Sequence, residues 1–105
     1  MDELILGTEA KIQLEIKPIS NISADFFDWE IEFYTNPRKR IVVSKFMCSP
    51  IDGTNRSYYV PVDTGKVGVG ELTAEVVAYI PDPMFTDDGL RTERVRIESI
   101  ATIIP

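Results

Sequence analysis

The residues able to do chemistry fall into a few groups. Asp28, Glu30 and Glu32 occupy alternate positions. On a strand, that spacing puts all three carboxyls on one face, where two of them could act as general acid and base. A glycosidase-type pair needs carboxyls on opposite walls of a cleft, whereas alternating acids on one strand are the ordinary pattern of a wet sheet face. Asp82, Asp87 and Asp88 gather acid into one loop. Calcium takes roughly six to eight oxygen ligands, and this spacing matches no calcium loop, so a solvated acidic loop is expected. The run Gly65-Lys66-Val67-Gly68-Val69-Gly70 invites a phosphate-loop reading. It lacks the Gly-Lys-Ser/Thr ending, and a strand pattern rather than a helix follows it. A hairpin or tight crossover is the expectation. Arg38-Lys39-Arg40 reads as a small anion patch or as the charged tip of a hairpin. Cys48 lies between Met47 and Ser49 in a chain without histidine. With nothing to activate it, a buried, inert thiol is expected. No catalytic residue, metal ligand or cofactor site is assigned, and the chain reads as a non-enzyme.

The elements that must position these groups show themselves by alternation. From Gly70 to Pro81, residues Leu72, Ala74, Val76, Ala78 and Ile80 fall on one face, and Thr73, Glu75, Val77 and Tyr79 on the other. That is a strand with one dry side, and it reads as the centre of the domain. Ile12, Leu14 and Ile16 repeat the pattern before Pro18. Phe27, Trp29, Ile31 and Phe33 do so with most of the aromatic mass, Trp29 as core anchor. A third strand over Arg40–Phe46 has either Ile41 and Val43 or Val42 and Ser44 inward. A fourth carries Tyr58, Val60 and Val62, with Pro61 marking an edge or a bulge. A last strand over Arg91–Ser99 turns Val95 and Ile97 inward and Arg94, Arg96 and Glu98 outward, and residues 100–105 continue it. Leu4–Leu6 is a candidate edge strand or docked arm. No segment of helical length has a 3.6-residue period. The expected fold is all-β: a two-layer antiparallel β-sandwich, immunoglobulin-like, with about seven strands in one domain over residues 1–105.

Composition sets the outer bounds. At 105 residues the chain makes one domain. Its net charge of −6 opposes nucleic acid and anionic membranes as partners. One cysteine excludes an internal disulfide and fits a reducing compartment. The N-terminal segment is acidic with a short apolar run, unlike a secretory signal, and no apolar run approaches the roughly 18 residues of a membrane span. The expected site of synthesis is the cytoplasm, and the sequons at Asn21 and Asn55 then carry no meaning. Apolar residues on polar ground are more telling. Met84 and Phe85 sit in the acidic loop, and Tyr79 lies on the outer face of the central strand. The neighbours Phe26-Phe27 and Tyr58-Tyr59 each force one aromatic out of the first core. Interfaces are enriched in such residues.

Four pieces in order complete the reading: Asp28-Trp29-Glu30-Ile31-Glu32-Phe33-Tyr34-Thr35, Val62-Asp63-Thr64, Gly68-Val69-Gly70-Glu71-Leu72, and Ile80-Pro81-Asp82 with Asp88-Gly89-Leu90-Arg91. Over roughly residues 10–98 this resembles the small β-sandwich domains that attach phage and prophage tail-fibre and baseplate upper proteins to the particle. The resemblance implies a structural attachment module, virion-associated after synthesis, with itself or other phage structural proteins as partners. The interface residues expected on that reading are Tyr79, Met84, Phe85, Arg38, Lys39 and Arg40, the basic tip pairing with acidic faces such as Glu30 and Glu32 of a neighbour. A small carbohydrate- or calcium-binding module of sandwich type is the alternative expectation.

Overall fold

Because side chains on a strand alternate faces, each alternating segment must find a partner layer for its dry side. The computed structural model, which describes residues 2–53, 57–85 and 88–105, shows how. Eight strands are formed among them: β1 (Asp2–Ile5), β2 (Glu9–Glu15), β3 (Asp28–Asn36), β4 (Lys39–Ser44), β5 (Ser49–Pro50), β6 (Ser57–Asp63), β7 (Gly70–Pro81) and β8 (Leu90–Ile104). One sheet has the order β1-β8-β7-β3-β4 and the other β2-β6-β5. β7 is therefore the middle strand of the larger sheet, as its alternation predicts. β3, β7 and β8 stand where strands C, F and G stand in an immunoglobulin sandwich, and β2, β6 and β5 where B, E and D stand. Trp29 on β3 takes the place of the buried tryptophan of strand C, without the inter-sheet disulfide that usually accompanies it.

The layers meet over one core. Trp29, Ile31 and Phe33 from β3 and Leu72, Ala74, Val76, Ala78 and Ile80 from β7 face Leu14 from β2 and Tyr58, Val60 and Val62 from β6, all buried. The register left open for β4 is settled by burial. Val43 is buried and Ile41 packs against the core, while Val42 is half exposed on the other side.

Two expectations need correction and one is made more specific. The sandwich is not wholly antiparallel, because β1 pairs in parallel with β8, Asp2 opposite Ala101 through Ile5 opposite Ile104. The glycine run is the tight crossover rather than the hairpin, passing between the sheets with one helical turn, α1 (Thr64–Val67). Asp63 caps it by accepting from the Gly65 amide, and Gly68 at φ 101° ends it. Gly70, at φ 133°, leaves room for Thr35, which a Cβ there would meet at 3.3 Å. Third, Val95 is on the inner side of its sheet, opposite Val76, yet is 49 % exposed. The three-stranded sheet is too narrow to cover β8 at that point.

β8 is also bent. Its register against β7 shifts between Leu72 and Ala74, and Ser99 in the extra segment has φ 53°. Bulges of this kind turn a strand. Beyond the bulge, Ala101 and Ile103 return to the core and β1 covers the edge. Pro61 is accommodated without a bulge. β5 reaches β6 only at Tyr58 and Tyr59, so Pro61 lies where β6 has no described neighbour on one side.

Candidate functional site

The carboxylates on the outer face of the large sheet do not form an acid/base pair. Glu32 and Glu75 lie directly opposite each other on β3 and β7, a juxtaposition that by itself destabilises a sheet. Three arginines neutralise it. Arg40 on β4 reaches Glu32 at 2.9 Å and Glu75 at 3.3 Å; Arg94 on β8 reaches Glu75 at 2.6 Å and Glu32 at 3.3 Å; Arg96 lies 3.5 Å from Glu75. The Arg40 guanidinium also stacks 4.2 Å from the centre of the Tyr34 ring. The hydrogen bond from Arg94 is the main reason the Glu75 carboxyl titrates below the ordinary carboxylate range, and Glu32 raises Arg40 in turn. A carboxylate held charged in this way is a poor proton donor at neutral pH. Glu30 is likewise engaged, accepting from the Tyr79 hydroxyl, whose own titration is pushed upward by that bond.

This network redistributes the expected interface residues. Arg40 and Glu32 bind each other inside the chain, so Arg40 is not part of a free basic tip and Glu30 and Glu32 are not a free acidic face for a neighbour. Tyr79 is only partly exposed and tied by its hydroxyl. Arg38 and Lys39 do stand exposed at the β3–β4 turn. Met84 and Phe85 are exposed in the loop after β7. In that loop Asp82 accepts from the Met84 amide and from Arg91, and Asp88 accepts from the Leu90 amide. These are turn-forming roles. Asp87 lies outside the described residues, as does the sequon asparagine Asn55. Among the described residues no three His, Cys, Asp or Glu side chains cluster as a metal site would require.

A second cluster sits at the start of β3. Trp29 packs edge-on against Tyr58 at 4.9 Å between ring centres and donates from its indole nitrogen to the Ala24 carbonyl at 3.1 Å. The Lys45 ammonium closes this end by donating to the carbonyls of Ala24 (2.8 Å), Phe27 (2.9 Å) and Asp25 (3.3 Å). The Tyr58 hydroxyl donates to Asp25 at 2.6 Å. Burial foremost, and then that bond, push Tyr58 up to about 12. Cys48 is buried beside them, its thiol pushed up to about 11 by desolvation alone. No buried side-chain nitrogen or oxygen among the described residues lacks a partner, and the nucleophile is disarmed.

Apolar surface lies instead on the two open rims of the sandwich. On the β4 side, Val42, Met47 and Pro61 line a hollow of about 330 Å³ together with Ile41 and Val62. Tyr59 lies beside Met47 and Pro61 at its edge, and the highly exposed Phe46 borders a separate hollow with Asp25, Asp28 and Tyr58. The third strand, expected to run to Phe46, ends at Ser44; Phe46 and Met47 sit on a 3₁₀ turn over Lys45–Met47, three residues too few to show a period in the sequence. The paired aromatics divide as expected, with Phe27 and Tyr58 inward and Phe26 and Tyr59 outward. On the β8 side, Ile16, Pro18 and Ile19 face Val76, Val95 and Ile97 across a largely apolar groove of about 380 Å³. Next to Ile19, the Ser20 hydroxyl accepts from the Arg91 side chain at 2.9 Å. The groove runs beside residues 91–98 of β8, whose outer edge carries no strand among the described residues. Against this geometry, no family model, no curated protein and no solved structure matches the chain.

Proposed function

We propose that this protein is a non-enzymatic structural module that works by docking to other proteins, in the setting of a phage or prophage particle: tail, baseplate or fibre. The observation that carries the docking part is the apolar groove lying beside an unpaired stretch of strand. Main-chain groups along such an edge add affinity by strand addition, and pockets for alternate side chains add selectivity. The face richest in ionisable groups is internally neutralised, which leaves little for acid/base chemistry. The particle setting rests on the four sequence pieces quoted above. Light scattering across a concentration series, followed by capture assays against tail and capsid proteins encoded nearby, tests the proposal. Self-association or capture of one of those proteins is the expected result. A strict monomer that captures none of them overturns it, and turnover of a substrate or binding of a glycan would then say what replaces it. A large rise in melting temperature with millimolar calcium would favour the ion-binding alternative; no rise is expected, because Asp82 and Asp88 already serve their own turns.

A further inference from the structure

Resting on the docking reading, we infer that the β8 edge is a homodimer surface: residues 94–98 of two copies pair antiparallel about a two-fold axis through Arg96. The edge is free because β1 covers only Ala101–Ile104 of the fifteen-residue β8. An unpaired edge of this length presents alternate N–H and C=O groups to solvent and invites another strand. On its inner side the apolar groove is open at Val95 and Ile97. On its outer side Arg94, Arg96 and Glu98 alternate, with 51 %, 56 % and 73 % of their side chains exposed.

The order of these residues favours a second copy as the occupant. In an antiparallel pair, residues directly opposite share a face. With the axis at Arg96, Val95 lies opposite the second copy's Ile97, and Ile97 opposite its Val95. Both pairs extend the apolar wall of the groove. On the outer face Arg94 lies opposite the second copy's Glu98, again twice by symmetry. Opposite charges at cross-strand positions stabilise, and like charges repel. The one like-charge pair, Arg96 with itself, sits between Glu75 and Glu98, which already face it at 3.5 and 3.9 Å. Neighbouring registers are worse. An axis at Val95 sets Arg94 against Arg96 twice and Glu93 against Ile97. An axis at Ile97 pairs Arg96 with Glu98 twice but sets Val95 opposite Ser99, which stands in the bulge at φ 53° and breaks the ladder there. The bulge at Ser99 bends β8 at the point where the second copy's strand must leave the ladder before it meets β1. A ladder this short, with two small apolar patches, makes a weak, concentration-dependent dimer.

The test uses the whole chain. Wild type should pass from monomer to dimer with rising concentration in sedimentation or light scattering. Glu98→Arg, at an exposed position, and Val95→Lys, in the groove wall, should each weaken association by roughly tenfold or more with an unchanged far-UV circular dichroism spectrum. Arg96→Ser, which removes the one like-charge pair at the axis and leaves Arg94 and Arg40 on Glu75 and Glu32, should instead strengthen association, which mere loss of fold would not do. A wild-type dimer indifferent to all three variants overturns this surface and leaves the docking reading intact. A strictly monomeric wild type overturns the homodimer. If that monomer captures a neighbouring particle protein and Val95→Lys abolishes capture, the edge belongs to a different partner and docking stands. If it captures nothing, both ideas fall.

Discussion

Trp29 shows how one side chain ties the two layers to a loop. It is buried to 1 % exposure, packs on Tyr58 of the opposite sheet and anchors the Ala24 carbonyl. Trp29→Ala should therefore destabilise the fold by roughly 3–5 kcal/mol, measurable by urea denaturation; a change near zero would place the ring outside the core. Cys48 makes the opposite kind of statement. With its thiol raised to about 11 by burial, little thiolate exists near neutrality. Alkylation of the native protein at pH 8 should be roughly tenfold or more slower than that of a free thiol, with full reactivity only after unfolding. Rapid labelling of the folded protein would contradict this.

At the scale of elements, the 3₁₀ turn after β4 does two jobs. It carries Phe46 and Met47 to the surface and swings Lys45 under the carbonyls of Ala24, Asp25 and Phe27. Lys45→Met keeps the length of the side chain but leaves those acceptors short of donors. A loss of about 1–3 kcal/mol is expected, seen as a lower denaturation midpoint with an unchanged slope; no loss would mean that water replaces the ammonium freely. Strand assignment was largely legible in the sequence, since β2, β3, β6 and β7 all follow period-two alternation. The turn at Lys45 was not, because its three residues are too few to show any period. The helical turn at Thr64 was hidden among glycines that read equally well as a hairpin.

For the whole molecule, the four-strand charge row across Arg40, Glu32, Glu75, Arg94 and Arg96 links stability to pH. Glu75 binds its proton less tightly when folded than when unfolded. The stability it lends is thus complete above the unfolded carboxylate value, near pH 4.5, and drains away as pH falls through the lower folded value. Thermal melts should show midpoints falling steeply below about pH 4.5. Glu75→Gln should flatten that part of the profile, and an unchanged slope would remove Glu75 from the cause.

Local alternation is enough to set the all-β class, the central place of β7 and the inward row of β3, because burial of one face follows from it. The absence of histidine and of paired cysteines also narrowed the available chemistry before any fold was known. The rest depends on which strands become neighbours. Arg40, read locally as part of a basic tip, becomes the partner of Glu32 and Glu75 because β4 lies beside β3 and β3 beside β7. Val95, read locally as core, stays half exposed because the second sheet is three strands wide and stops short of β8. Alternation tells a side chain which face of its own strand it occupies; only the packing of the opposite layer tells whether that face is covered.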